Sequence, residues 1–157
     1  MRLPIALVTM VSLVIVSLCS PLAPGARGEP LARQTAPSSS SASRSVWDGV
    51  YTLAQAKRGA LKSGLCTSCH GDSFEGLLGP ELAGPAFTEK WEGRALGDLF
   101  DLMRLTMPDD APGSLAREEY ADLLAYILAV NKYPGGQTEI GIDPEPLKQI
   151  RIEPARR

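Results

Sequence analysis

The sequence predicts an all-α domain. Two stretches place apolar residues three and four positions apart, as one face of a helix requires. No stretch alternates apolar and polar residues in the manner of a half-buried strand. The segment between the two periodic stretches is rich in Gly and Pro and has no sustained period. The chain has 157 residues, room for one domain, and its ends differ in composition from its middle. The ordered domain is expected at 46–136, a size of about ninety residues at which apolar burial alone gives a marginal core.

Residues 1–28 read as an export signal. Arg2 supplies a short positive start, an apolar run spans Ile5 to Leu18, and small or turn-forming residues follow from Ser20 to Gly28. An uncleaved membrane anchor is the competing reading, but the run falls short of the roughly 20 apolar residues that a spanning helix needs. Pro21 and Pro24 follow it directly. Cys19 is preceded by Leu18, not by the small residue of a lipoprotein signal, so it belongs to the removed segment. Residues 29–45 are rich in Ser, Ala and Pro, including Ser38-Ser39-Ser40-Ser41, and read as a flexible linker.

Order begins near Trp47. Thr52-Leu53-Ala54-Gln55 has the form of a capping box, and a first helix is expected over Leu53–Ser63, closed by a left-handed cap at Gly64. From Gly71 to about Lys90 a loop is expected, with Leu77, Leu78, Leu82, Pro85 and Phe87 packing inward; a loop of that length needs an object to wrap. A second helix is expected over Ala95–Leu105, with Leu96, Leu99, Leu102 and Met103 on one face, and Pro108 stops it. The last long helix is expected over Arg117–Asn131, with Tyr120, Leu123, Leu124, Ile127 and Leu128 as its apolar stripe and Glu118, Glu119 and Asp122 near its positive end. In the tail, 137–157, Ile140, Ile142, Leu147, Ile150 and Ile152 are spaced among polar residues. Packing along the domain surface is the expectation; docking to a partner is the alternative.

Cys66-Thr67-Ser68-Cys69-His70 carries the chemistry. Two thiols separated by two residues can add to the two vinyl groups of a haem, and the histidine directly after them can take one axial face of the iron. His70 is the sole histidine of the chain, and Cys66 and Cys69 are the sole cysteines of the mature chain. A structural zinc site wants four ligands, and these three are too few. A thioredoxin-like redox pair belongs beside a βαβ pattern, which the sequence lacks. For the other axial face, Met103 and Met107 are the thioethers outside the signal segment. Met103 lies on the apolar stripe, where core filling is the ordinary role; Met107 stands at the helix end before Pro108, where a non-helical backbone can aim a side chain.

The chain resembles the class I cytochromes c, and within them the small periplasmic proteins associated with quinoprotein and other dehydrogenases. The resemblance is carried by Val46-Trp47-Asp48-Gly49-Val50-Tyr51-Thr52, the haem string, Gly79-Pro80-Glu81-Leu82-Ala83-Gly84, Leu96-Gly97-Asp98-Leu99-Phe100, Thr106-Met107-Pro108, Pro112-Gly113-Ser114-Leu115 and Glu119-Tyr120. It implies a cytochrome c-like fold of three to four helices around one covalently bound haem c. It further implies His70 as proximal ligand and Met107 as distal ligand. The Pro80 carbonyl is then similar in position to the group that accepts the proximal imidazole N–H. Trp91 looks like a pocket residue whose indole N–H reaches a propionate, with Arg94 as a second candidate; plain packing for Trp91 and solvent for Arg94 are the alternatives. Two departures stand out. Lys62 occupies a position, four before the first haem cysteine, that is often aromatic, and Ala116 stands where the last helix often has a polar cap, leaving Ser114 or the chain's own bend to serve.

The reading that follows is a periplasmic single-haem electron carrier, not an enzyme, with a haem enzyme or small-ligand sensor with an open distal position as the alternative. Redox proteins are the expected partners, a quinoprotein dehydrogenase as donor and an oxidase or another cytochrome as acceptor. A formal charge of -2, with no long basic run before the last residues, argues against a nucleic-acid partner. No stable membrane span is expected in the mature chain.

Overall fold

The computed structural model describes residues 44–154. The signal segment at 1–28 and the linker up to residue 43 lie outside the described residues. Six α-helices follow in order: α1 Leu53–Lys62, α2 Gly64–His70, α3 Pro85–Trp91, α4 Leu96–Thr106, α5 Arg117–Val130 and α6 Pro144–Leu147. The class is all-α, and the helices outnumber the three or four expected. The additional ones, α2, α3 and α6, are four to seven residues long, too short to show a period in sequence. Two residues at each end of the domain, β1 Arg44–Ser45 and β2 Ile150–Arg151, pair in parallel. A two-residue strand has no alternation to read, and by composition Arg44 and Ser45 belong with the linker.

Helix α1 starts on Thr52, whose hydroxyl accepts the Gln55 N–H at 3.1 Å. Only this half of the expected capping box forms. The Gln55 side chain is 2 % exposed and turns instead to Ile140, donating through Nε2 to its carbonyl at 3.0 Å and accepting its N–H at Oε1 at 2.8 Å. A buried amide needs both functions satisfied, and a backbone N–H and C=O on one residue satisfy both.

Helix α1 packs closely on α5. A Cβ on Gly59 would stand 2.0 Å from the Asp122 carbonyl oxygen and 2.9 Å from Tyr126 Cβ, so the helices cross at a distance that only glycine permits. Beside that crossing, Arg58 donates to both carboxylate oxygens of Asp122, at 3.0 and 2.8 Å, and to Glu139 at 3.0 and 2.8 Å. One guanidinium therefore ties α1, α5 and the C-terminal segment. Lys62, at the often-aromatic position, forms an ion pair with Glu119, so this part of the α1–α5 contact is ionic.

Gly64 is not a left-handed cap. Ser63 keeps a right-handed helical conformation, closes α1 and opens α2 at once, with the Cys66 N–H bonded to its carbonyl at 2.8 Å. The haem string is thus helical, and a glycine with positive φ comes one helix later, at Gly71 with φ 85° and ψ 155°. There the chain leaves α2 and folds back: Gly76 and Gly79 N–H groups bond the His70 and Cys69 carbonyls at 2.7 and 2.8 Å. Of the expected inward residues, Phe87 is fully buried and Leu82 partly so, but Pro85 is exposed, as are Leu77 and Leu78, at 69 % and 89 %. Phe74 takes their place in the core, edge-on to Tyr126. Asn131, closing α5, holds this loop by donating to the Leu82 carbonyl at 2.8 Å and accepting the Gly84 N–H at 2.9 Å.

Helices α4 and α5 lie within one residue of their expected bounds. Leu96, Leu99 and Met103 are buried with Phe100, whereas Leu102 is 39 % exposed. All five residues of the α5 stripe are buried. Its first turn is closed by the Glu119 carboxylate, which accepts the Ala116 N–H at 2.8 Å; Ser114 is not the cap. In the tail, Ile140, Leu147, Ile150 and Ile152 are each at most 4 % exposed and Ile142 is 40 % exposed. The Gly97 backbone lets α6 pass so close to α4 that a Cβ would meet the Pro144 carbonyl at 2.7 Å. Among the described residues no helix is long and apolar enough to cross a membrane.

Two predictions follow from these contacts. Helix propensity favours Gly59→Ala by about 1 kcal/mol, but a methyl at 2.0 Å from a carbonyl oxygen must push α1 and α5 apart. The clash dominates, and urea unfolding of the variant should show a net loss of about 1–3 kcal/mol. The second concerns acid. Hydrogen bonding to Arg58 lowers the Glu139 pKa below its ordinary 4.5, and hydrogen bonding to Lys62 and to the Ala116 N–H does the same for Glu119. Near pH 4.5 the folded protein therefore binds fewer protons than the unfolded chain, so the stabilisation is present above that pH and is lost as pH falls through the folded values. Thermal midpoints measured between pH 6 and 3 should fall with acid, and less steeply in Glu139→Gln.

Candidate cofactor site

A cleft of about 580 Å³ opens between α2, the 78–82 loop, α3, α4, the 107–110 turn and α5, within the size range of cofactor sites. Its walls are largely apolar, with Leu82, Leu99, Leu123 and Ile127 among them. Cys66 and Cys69 are three residues apart on α2, which puts both on one helical face, and both line the cleft as free, partly buried thiols. Burial pushes the Cys66 thiol up from its ordinary pKa.

His70 ends α2 and is 7 % exposed. Its Nδ1 lies 2.6 Å from the Pro80 carbonyl oxygen. A carbonyl only accepts, so Nδ1 carries a proton, and in the neutral imidazole that leaves the Nε2 lone pair for a metal. The loop passes so close to the ring that a Cβ on Gly79 would meet Cε1 at 2.8 Å and Nδ1 at 2.9 Å. Glycine here lets the backbone lie against the imidazole while its own N–H holds the Cys69 carbonyl.

Met103 and Met107 both line the cleft, and their backbones distinguish them. Met103 sits within α4, 8 % exposed in the apolar core. Met107 follows the helix in an extended conformation, φ −122° and ψ 153°, with its N–H still on the Met103 carbonyl at 2.9 Å. Its own carbonyl accepts the Tyr120 hydroxyl at 2.6 Å and the Gly113 N–H at 3.3 Å. Tyr120 had been read as part of the α5 stripe. Its hydroxyl was the available signal, since a buried phenol on an aliphatic face requires a polar partner.

Trp91 is 3 % exposed and lines the cleft. Arg94 does not line it. The Arg94 carbonyl accepts the Ile152 N–H at 3.0 Å and its guanidinium lies over the ring of Trp91 at 4.5 Å, beside the cleft wall. Lys90, one turn of α3 from the loop end, is the cation that lines it. The structure therefore brings Cys66, Cys69, His70, Pro80, Trp91 and Met107 together in one cleft and leaves Arg94 out.

A family model described as cytochrome c oxidase, cbb3-type, subunit III matches residues 53–127. That span runs from the first residue of α1 into α5 and takes in both cysteines, His70 and Met107. The chain carries a class I c-type cytochrome domain. Searches of curated proteins and of solved structures gave no match. As a c-type cytochrome the protein binds haem covalently, in a class built for electron transfer. The residues present fit that group: two thiols on one helical face, an imidazole oriented through Nδ1 by the Pro80 carbonyl, and an apolar cleft of sufficient volume.

Gly79→Ala tests the loop's approach to the imidazole. A methyl 2.8 Å from Cε1 forces the ring or the loop to move, and the expected result is less haem per polypeptide by pyridine haemochrome assay. Full incorporation with an unchanged spectrum would mean that the loop shifts without cost.

Proposed function

We propose that this cytochrome is an exported, periplasmic electron carrier with one haem whose iron lies between His70 Nε2 and Met107 Sδ. The observation that carries this reading is that His70, with Nδ1 committed to Pro80, and Met107, on a backbone held by Tyr120, line the same cleft as the two thiols. Bound haem c supplies an iron that cycles between Fe(II) and Fe(III). The protein's own part is to anchor the ring through Cys66 and Cys69, to keep the imidazole oriented through Pro80, and to hold the thioether in place. A methionine sulfur favours the ferrous state and raises the potential. With His70 and Met107 both holding the iron, no position would be left for substrate, and the cytochrome would pass electrons without itself acting as a catalyst. Trp91 and Lys90 are the lining residues able to meet a propionate. Export rests on the Arg2 and Ile5–Leu18 pattern, and a dehydrogenase donor with an oxidase or cytochrome acceptor rests on the family resemblance.

The test is spectroscopic. The ferric protein should show the weak near-infrared methionine-to-iron charge-transfer band, lost in Met107→Ala and kept in Met103→Ala. Tyr120→Phe removes one hydrogen bond at constant shape, a loss of about 1 kcal/mol, and should weaken the band without abolishing it. Prompt carbon monoxide binding by the reduced native protein would refute the carrier and favour a ligand sensor or haem enzyme.

A further inference from the structure

The cleft wall formed by α3 is held at its two ends by different parts of the chain. At its start, Asn131 accepts the Gly84 N–H at 2.9 Å. At its end, Trp91 gives way to the turn Glu92-Gly93-Arg94, all three residues exposed, which leads into α4. The turn's own bonds are short-range, the Glu92 N–H on the Thr88 carbonyl at 2.8 Å and the Arg94 N–H on the Trp91 carbonyl at 3.0 Å. Among the described residues, the hydrogen bonds that reach it from outside α3 and α4 come from the C-terminal strand and the residue after it. The Gly93 N–H donates to the Ile152 carbonyl at 2.8 Å, the Ile152 N–H donates to the Arg94 carbonyl at 3.0 Å, and Arg151 Nη1 donates to the Gly93 carbonyl at 3.4 Å.

A tail that served only the core could end at α6, where Ile140 and Leu147 are already buried. Instead it continues, and Ile152 is fully buried. Chain ends are ordered where something ties them down, and this one is tied on the far side of Ile152 as well: Glu153 accepts the Ser45 and Tyr133 hydroxyls, and the Pro154 carbonyl accepts the Trp47 indole N–H. The whole stretch lies beyond residues 53–127, the span that the family model matches. What it holds bears on the cleft through Trp91, which lines it and is 3 % exposed. The turn meets Trp91 twice, through the Arg94 N–H on its carbonyl and the Arg94 guanidinium over its ring at 4.5 Å.

We infer that the C-terminal strand is a latch on the cofactor cleft, with Ile152 as a positioning residue whose two backbone hydrogen bonds hold the 92–94 turn and so keep Trp91 in the wall and water out along it. For its effect on electron transfer this rests on the electron-carrier reading. Solvent access and local dielectric set a haem's potential. Water admitted at this wall favours the more highly charged ferric state, so a closed latch holds the potential up and an open one lets it fall.

Trp47 and Trp91 are the two tryptophans of the chain, so in a Trp47→Phe background the fluorescence of the haem-loaded protein, quenched by the haem, reports Trp91 alone. Ile152→Pro removes the N–H that holds the Arg94 carbonyl, and deletion of residues 150–157 removes the latch entirely. Both should raise Trp91 fluorescence, open the indole to acrylamide and shift the reduction potential downward. Ile152→Val keeps both backbone bonds and should match its parent. Leu147→Ala loosens α6 and leaves the turn's bonds in place; it should lower the thermal midpoint and move neither fluorescence nor potential. In the haem-loaded protein without substitutions, the Gly93 amide should exchange hydrogen at least about tenfold more slowly than an unprotected amide. Unchanged fluorescence and potential in a cooperatively melting Ile152→Pro, the same changes in Leu147→Ala, or unprotected exchange at Gly93 would overturn the latch and leave the carrier standing. A native protein that lacks the near-infrared band and binds carbon monoxide would overturn the carrier, and Trp91 fluorescence and Gly93 exchange would still decide the latch.

Discussion

Helices α1 and α5 meet backbone to backbone, with Gly59 against the Asp122 carbonyl, and both sides of the cleft depend on that crossing. α1 runs through Ser63 into α2 without a left-handed break, so the position of α1 determines where Cys66, Cys69 and His70 stand. α5 carries Tyr120, whose hydroxyl holds the Met107 carbonyl, so its position determines where the chain leaves α4. A change in the separation of two helices thus becomes a change in the distance between an imidazole and a thioether. Close-packed interiors transmit such displacements with little loss.

The C-terminal segment completes a core that the central helices leave open. Gln55 is a buried amide whose two functions are met by Ile140, and the Arg58 guanidinium is shared by Asp122 and Glu139. At the far end, Ser45 and Tyr133 hydroxyls both bond Glu153, and the Trp47 indole N–H donates to the Pro154 carbonyl. The residues entering the domain and those leaving it are therefore bonded to each other. The same segment holds the Arg94 backbone, whose carbonyl accepts the Ile152 N–H while the guanidinium rests on Trp91.

Two kinds of polar group serve the cleft. Those within it, the His70 imidazole and the Tyr120 phenol, are buried and have short hydrogen bonds to backbone carbonyls at 2.6 Å, which orient them without placing a charge in an apolar wall. Those at its mouth, Glu81, Asp109 and Asp110, are exposed and form no salt bridge among the described residues.

The sequence alone determined the helical class, the bounds of α4 and α5 to within a residue, and the haem string, because these depend on local period and on adjacent residue types. Met107 was legible as a helix-end residue before Pro108, and His70 as the sole histidine. Only the tertiary structure decided the remainder. That the haem string is helical depends on Ser63 staying right-handed, a choice made by the packing around it. That Tyr120 is a support for Met107, and that Gln55 serves Ile140 instead of its own helix cap, are contacts across 13 and 85 residues. No local pattern encodes such pairings; they join α5 to the turn after α4 and α1 to the C-terminal segment, elements that only the folded chain brings together.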